Sequence, residues 1–193
     1  MAAHSGICKE VEIIARASPG LLAELSLDSG LNNFCPAAGG LAGVLERIAG
    51  LPRGIVNIAV SKKTIVGYVT FFASFSEYRP RVLEMGGIET AAPWRRKGIA
   101  TELLRCSFRN REMERNIVYV RGYHYHWDLE GCGLDVLQYR EMLLRLYSGF
   151  GFQLWFPPGW QDVHLFNPVD FVMLRVGKEV PGEEVALLAE IFC

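Results

Sequence analysis

The sequence predicts an α+β domain built on a mixed sheet, and three observations predict it. Apolar runs of strand length and helical patterns follow one another in the order β-α-α-β-β-β-α-β-α-β-β, runs of strands with helices interspersed. Near the middle of the chain, Leu83 to Phe108 reads as a strand, a tight turn and an amphipathic helix. The composition is globular, since 50% of the 193 residues are hydrophobic and 21% are charged. That length suits a single domain over residues 1–193, large enough to bury most of its apolar surface.

Taken in order, Val11 to Ala15 reads as the first strand. Ser18 and Pro19 then offer an N-cap and a proline at the first helical position, with Leu21, Leu22 and Leu25 as the buried stripe and Asp28-Ser29-Gly30 as the stop. A Gly- and Ala-rich passage from Pro36 to Gly43 leads into a second helix through Val44, Leu45 and Ile48, which ends at Gly50-Leu51-Pro52. The apolar runs Gly54 to Val60 and Thr64 to Phe72, separated by Ser61-Lys62-Lys63, have the pattern of a β-hairpin. Ser74 to Arg81 is a polar loop. After the central strand, turn and helix comes another β-rich run, Asn116 to Tyr123, and then a helix through Tyr147 opened by the capping-box pair Asp135 and Gln138. Phe152 to Phe156 and Val169 to Val176 read as strands, with Pro157-Pro158-Gly159 and Asn167-Pro168 as loop punctuation. A short helix from Glu183 to Ile191 closes the chain.

Charge and cysteine usage exclude several classes of function. The formal net charge is −1, from 20 Lys plus Arg against 21 Asp plus Glu, so the basic excess of a general nucleic-acid binder is missing. The five cysteines, Cys8, Cys35, Cys106, Cys132 and Cys193, are scattered and form no C-x-x-C pair, which points to reduced thiols rather than a disulfide framework or a zinc site. The start of the chain lacks a basic segment followed by an apolar run, and no apolar stretch reaches about 18 residues, so a soluble, cytoplasmic protein is expected.

The turn Arg95-Arg96-Lys97-Gly98-Ile99-Ala100 fits R-x-x-G-x-A and runs into a helix with Ala100, Leu103, Leu104, Ser107 and Phe108 on one face. A turn of this kind gathers free backbone N–H groups at one point, and the helix N-terminus behind it adds about half a positive charge. The result is an anion cradle, with Gly98 letting a ligand approach the backbone. Neither G-x-x-x-x-G-K-[ST] nor a post-strand G-x-G-x-x-G occurs, which disfavours nucleotide hydrolysis and dinucleotide redox chemistry.

The strand with its Glu and paired Gly, the R-x-x-G-x-A turn and the amphipathic helix together resemble motif A of the GNAT superfamily of N-acetyltransferases. Within that superfamily, His126-Trp127-Asp128-Leu129 and the DVLQYR stretch from Asp135 to Arg140 are similar to the acetoin-utilisation acetyltransferase family. So are Ile48-Ala49-Gly50-Leu51-Pro52, the stretch Ile65 to Phe71, Gly87-Ile88-Glu89 and the stretch Leu174 to Lys178. The resemblance implies a mixed, mostly antiparallel central sheet, flanked by helices and split by acetyl-coenzyme A. It implies that Arg95, Arg96, Lys97, Gly98, Ile99, Ala100 and Thr101 hold the pyrophosphate, and that the main chain at Ile88 and Thr90 pairs with the pantetheine arm as an added strand would. This chain departs from the family in carrying Ile99 where a small residue follows the first motif glycine.

Acetyl transfer to a lysine requires a neutral amine, yet a free lysine has a pKa of about 10.4, so a base is needed. Glu84 and Glu89 are the candidates, Glu84 first, because it lies eleven residues before Arg95, where many GNAT enzymes keep their base. Strict alternation would point the two carboxylates opposite ways, whereas a bulge at Gly86-Gly87 would bring them to one face. Tyr147, in a Y-x-x-x-G-F pattern similar to a GNAT helix end, is either the proton donor to the departing thiolate or a core aromatic, since it shares a helix face with Val136, Tyr139, Leu143 and Leu146. His124, His126, Trp127 and Asp128 are expected to line the acceptor pocket, with His126 able to shuttle a proton. His124, His126 and Asp128 would alternate along one strand face, but no Cys joins them and only distant His164 could complete a metal site, so no metal is expected. The acceptor that the resemblance implies is a protein lysine, on acetyl-coenzyme A synthetase, in acetoin and acetate metabolism. A small-molecule amine acceptor and a non-catalytic acetyl-coenzyme A sensor remain the alternatives, and the oligomeric state is open.

Overall fold

Lys62 adopts the left-handed region at φ 59°, and this closes the chain between strands β3 (Ile55–Ser61) and β4 (Thr64–Phe72) into the antiparallel hairpin that the two apolar runs predict. The computed structural model describes residues 10–31, 40–73, 81–156 and 169–186. Two compact units emerge, residues 1–73 with 85–109, and residues 74–84 with 110–193.

In the first unit, β1 (Glu12–Ile14) pairs antiparallel with β3, and β2 (Ser26–Leu27) pairs parallel with β4. Strand β5 (Val82–Thr90) neighbours β4 and contributes Met85 to Thr90 here. Ala59 faces Gly67 while Val60 faces Ile65, so Val66 is an extra residue on β4, a bulge. Val56 and Ile58 bury their side chains with those of α1 (Pro19–Ala23) and α2 (Gly40–Gly50), around Leu22, Leu41, Leu45 and Tyr68. Asn57 points the other way by strand alternation and donates to Ser107 Oγ at 2.8 Å on α3 (Ile99–Phe108). Phe71 meets Phe108 edge-on at 5.8 Å on that same side.

The first helix is shorter than the sequence predicts. Ser18 caps it by accepting from the Leu21 N–H, but it ends at Ala23. Ser26 and Leu27 then form a strand, because Ser26 N–H and Asp28 N–H find the Lys63 and Ile65 carbonyls alongside β4.

In the second unit, Val82, Leu83 and Glu84 of β5 pair parallel with Ile117, Val118 and Tyr119 of β6 (Ile117–Gly122). Strand β6 pairs antiparallel with β8 (Phe171–Val176), and β8 with β7 (Gln153–Leu154). The recorded strand pairs are therefore mixed and mostly antiparallel, with helices flanking. A short α4 (Leu129–Cys132) precedes α5 (Val136–Ser148), whose capping box is formed on both sides by Asp135 and Gln138. The expected C-terminal helix is present as α6 (Gly182–Ala186). Its continuation to Ile191, the loop at 74–80, the punctuation at 157–159 and 167–168, His164, and Cys8, Cys35 and Cys193 lie outside the described residues.

Candidate active site

The end of β5 and the start of α3 are joined by a tight turn of backbone. Ala92–Trp94 is a single 3-10 turn, Arg95 is extended, and Arg96 (φ 60°) and Gly98 (φ 79°) both take left-handed conformations. Gly98 is the N-cap of α3 and no side chain caps it, so the first N–H groups of the helix, from Ile99, Ala100 and Thr101, have no acceptor among the described residues. Arg96 and Lys97 are exposed beside them, while Ile99 is buried. The larger side chain after the motif glycine therefore goes into the core, and only its backbone faces the turn.

The strand before the turn is held at close quarters. A Cβ on Gly67 would meet the Glu89 carbonyl and Ile99 Cγ2, each at 3.0 Å, so β4 approaches this corner only as glycine. Arg95 Nε donates to the Thr90 carbonyl at 3.2 Å. The Thr90 hydroxyl oxygen is buried without a hydrogen-bond partner among the described residues. An orphaned buried hydroxyl costs about 1–3 kcal/mol, and a ligand that brings hydrogen-bonding groups to the strand end would remove that cost. A buried hydroxyl, the first N–H groups of a helix and two exposed cations therefore lie along the strand end and the turn, a set of groups suited to an anion.

Both candidate bases are buried, at 9% exposure for Glu84 and 5% for Glu89. Glu84 accepts from Tyr119 OH on one oxygen (2.6 Å) and from Arg121 Nη2 on the other (2.7 Å). Burial works against the Arg121 cation, but the hydrogen bond and charge of Glu84 outweigh it and raise its pKa further. Glu89 accepts from Tyr68 OH at 3.0 Å. Gly86 has a packing reason of its own, because a Cβ there would come within 2.4 Å of the Phe72 ring.

The chain after β6 does not continue as a strand. Gly122 ends β6 against the Phe171 ring, which a Cβ would approach to 2.3 Å, and His124–His126 is a 3-10 turn. The expected period-two alternation of His124, His126 and Asp128 is thereby overturned. Instead, His124 binds Asp170 twice, through its N–H (2.7 Å) and through Nδ1 (2.9 Å). His126 lies 4.4 Å from the Tyr125 ring, and its burial pushes its pKa down, favouring the neutral ring. Asp128 caps α4 by accepting from the Gly131 N–H at 2.9 Å, and Trp127 stacks on Tyr139 at 5.4 Å. Among the described residues, no three of His, Cys, Asp and Glu gather closely enough to hold a metal.

Tyr147 sits in the same aromatic cluster, 5.9 Å from Phe152 and 6.3 Å from Phe171. Burial first, and then Tyr139, push its hydroxyl well above the ordinary tyrosine range. Cys106 is half-buried on α3 with its thiol pushed up by burial, which suits packing rather than nucleophilic chemistry. Sequence reasoning misses Tyr68, Tyr119, Arg121 and Asp170. For Tyr119 and Arg121 a signal does exist: they alternate on one face of a strand, but which carboxylate they meet is a matter of strand order.

The model of the acetyltransferase (GNAT) family matches residues 33–110. The acetoin utilization protein AcuA of Bacillus licheniformis is 34% identical over 174 residues, covering 87% of this chain and 81% of the relative. That of Bacillus subtilis is 35% identical over 147 residues, covering 73% and 69%. The crystal structure of an acetoin utilization protein from Exiguobacterium sibiricum superposes with a TM-score of 0.82 at 35% identity, over 91% of this chain and 85% of its own.

Proposed function

The chain belongs to the GNAT acetyltransferase family, a relative of the acetoin utilization proteins, and from that premise we propose that this acyltransferase moves the acetyl group of acetyl-coenzyme A onto a lysine of acetyl-coenzyme A synthetase, in acetoin and acetate metabolism. The observation that supports donor binding best is the uncapped N-terminus of α3 behind two left-handed residues, Arg96 and Gly98. Its N–H groups receive the pyrophosphate, Arg96 and Lys97 add charge, and the backbone at Ile88 and Thr90 with the orphaned Thr90 hydroxyl meets the pantetheine arm.

Glu84 is the proposed base and Glu89 the second choice. Two donors, from Tyr119 and Arg121, fix the Glu84 carboxylate, which draws the acceptor ammonium in and relieves it of a proton directly or through water. The neutral amine then forms the C–N bond as the C–S bond breaks, with no cysteine acting as an acyl carrier. The departing sulfur takes a proton from Tyr147 or from water, and that donor regains one from the second proton that the nitrogen loses as the amide forms. His124, His126, Trp127 and Asp128 lie in the segment proposed to face the acceptor.

The test measures thiol release from acetyl-coenzyme A with three acceptor arms: acetyl-coenzyme A synthetase, a small polyamine, and none. Release only with the synthetase, with one acetylated lysine by mass spectrometry, is the expected result. Release only with the polyamine replaces the protein acceptor, and binding without release in any arm replaces catalysis with sensing.

A further inference from the structure

The turn that ends at Gly98 is braced by two side chains to which the proposed reaction gives no role, Asp28 and Trp94. Trp94, on the 3-10 turn before it, donates from Nε1 to Asp28 Oδ2 at 3.2 Å, and Asp28 Oδ1 accepts the Gly30 N–H at 2.9 Å. Both carboxylate oxygens are thus held, and the carboxylate in turn holds the indole. The two segments lie against each other, since a Cβ on Gly30 would come within 2.8 Å of the Ala92 nitrogen. The body of Trp94 packs on the apolar cluster that includes Leu31 and Ala91. All of these residues belong to the first unit, as do Lys97 and Gly98.

The ring carries a cation. Lys97 Nζ lies 4.5 Å from the Trp94 ring centroid, inside the distance at which the negative face of an indole attracts an ammonium. An indole whose N–H is bound to a carboxylate gains electron density on that face, so Asp28 strengthens the hold. Such a hold is needed here, because Arg95, Arg96 and Lys97 are successive cations that repel one another, and a lysine head sits on a flexible four-carbon stem. Lys97 directly precedes Gly98, the N-cap of α3, so its Cα is about 3.8 Å from that of the cap. The ring therefore keeps an exposed ammonium beside the first N–H groups of the helix instead of letting it swing into solvent.

We propose that Trp94, anchored by Asp28, is a positioning residue of the donor site: it holds the Lys97 ammonium where a phosphate of the acyl donor meets it at the start of α3. The inference rests on the donor binding proposed above and adds the side chains that aim its charge. Trp94 itself touches no phosphate; it reduces the freedom that Lys97 loses when the donor binds. An ammonium has three donors, so it can bond a phosphate oxygen on its outer side while it stays over the ring.

The experiment is calorimetry on the parent, Lys97→Met, Trp94→Met, Trp94→Phe and the double variant of Trp94→Met with Lys97→Met. Each is titrated with acetyl-coenzyme A and with S-acetylpantetheine, which keeps the thioester and part of the arm but has no phosphate. Lys97→Met weakens acetyl-coenzyme A binding by about tenfold or more, the value of a hydrogen bond between charged groups. Trp94→Met keeps the apolar bulk but loses the aromatic face, and weakens it by about two- to fivefold, as an exposed cation–π contact does. Trp94→Phe restores most of that loss, and the double variant binds no more weakly than Lys97→Met alone. S-acetylpantetheine binds all of them alike. Independently of any variant, NMR of the parent shows the Lys97 Hε protons shifted upfield by the indole ring current, both free and with acetyl-coenzyme A. The idea is overturned by equal losses for the two ligands in Trp94→Met, by tighter acetyl-coenzyme A binding in that variant, by additive losses in the double variant, or by a ring-current shift that vanishes when the donor binds. A parent that binds acetyl-coenzyme A no better than S-acetylpantetheine removes the phosphates from this turn, and this inference with them.

Discussion

Glu84 and Asn57 show how much a single buried polar side chain carries. Glu84 holds Tyr119 and Arg121 on its two oxygens, so Glu84→Gln keeps one acceptor and presents an amide to the other donor. Turnover with a lysine-bearing acceptor should drop by about 10²–10⁴, the usual range for removing a general base, with acetyl-coenzyme A affinity by calorimetry unchanged. If Glu84→Gln keeps full rate and Glu89→Gln loses it, the base is Glu89. Asn57 is 2% exposed, donates to Ser107 Oγ and accepts the Arg16 N–H at 2.8 Å. Asn57→Ala leaves the Arg16 N–H and Ser107 Oγ each without this partner and should cost about 1–3 kcal/mol in denaturant unfolding.

At the scale of the element, helices α3 and α5 begin in opposite ways, and the contrast separates binding from stability. α5 closes its N-terminus with the reciprocal Asp135 and Gln138 box, so Asp135→Ala should destabilise by about 0.5–2 kcal/mol and leave acetyl transfer untouched. α3 leaves its N-terminus open behind Gly98 at φ 79°. There Gly98→Glu sets bulk and negative charge where an anion would approach, and the backbone conformation resists any Cβ. Calorimetry should detect no acetyl-coenzyme A binding to that variant; unchanged affinity would remove the pyrophosphate from this turn. Ser107 on α3 and Phe108 at its end tie the helix to β3 and β4 through Asn57 and Phe71, so the open turn rests on a rigid base.

For the molecule as a whole, ligand and pH should both register in stability. A donor that binds only the folded chain raises the melting temperature, and at a hundredfold excess over its Kd contributes about 2.7 kcal/mol. The absence of any shift with millimolar acetyl-coenzyme A would count against both the enzyme and the sensor readings. Within the second unit, Glu114 accepts from Arg175 Nη2 at 2.5 Å and from the Lys178 N–H at 3.0 Å, and Arg175 also donates to the Phe150 carbonyl. Burial pushes the Glu114 carboxyl up, but the Lys178 and Arg175 bonds and charges pull it net below its ordinary value. The folded chain therefore binds this proton less readily than the unfolded chain. Its stabilisation is complete above the ordinary glutamate range near 4.3 and is lost as pH falls through the lowered folded value. Denaturant unfolding from pH 6 to pH 3 should show a shallower acid loss in Glu114→Gln than in the parent.

Local chemistry made much of this protein legible in its residues. The hairpin around Lys62, the Ser18 cap, the capping box at Asp135 and the strand, turn and helix through Gly98 all follow from spacings of a few residues, because turns, caps and amphipathic faces are short-range interactions. Where a segment's partner lies far along the chain, the residues alone mislead or stay silent. Ser26 and Leu27 look like the end of a helix but join β4, whose Lys63 and Ile65 carbonyls offer hydrogen bonds. His124 to Asp128 look like a strand but turn, because Asp170, 46 residues on, takes the His124 N–H and ring nitrogen. Likewise, Glu84 could be named as a candidate from its distance to Arg95, but its hold by Tyr119 and Arg121 depends on β5 lying parallel to β6. Short-range spacing marks most of the elements and the turn at Gly98, whereas which carboxylate, imidazole and hydroxyl meet is set by the order of strands and not by the spacing of residues.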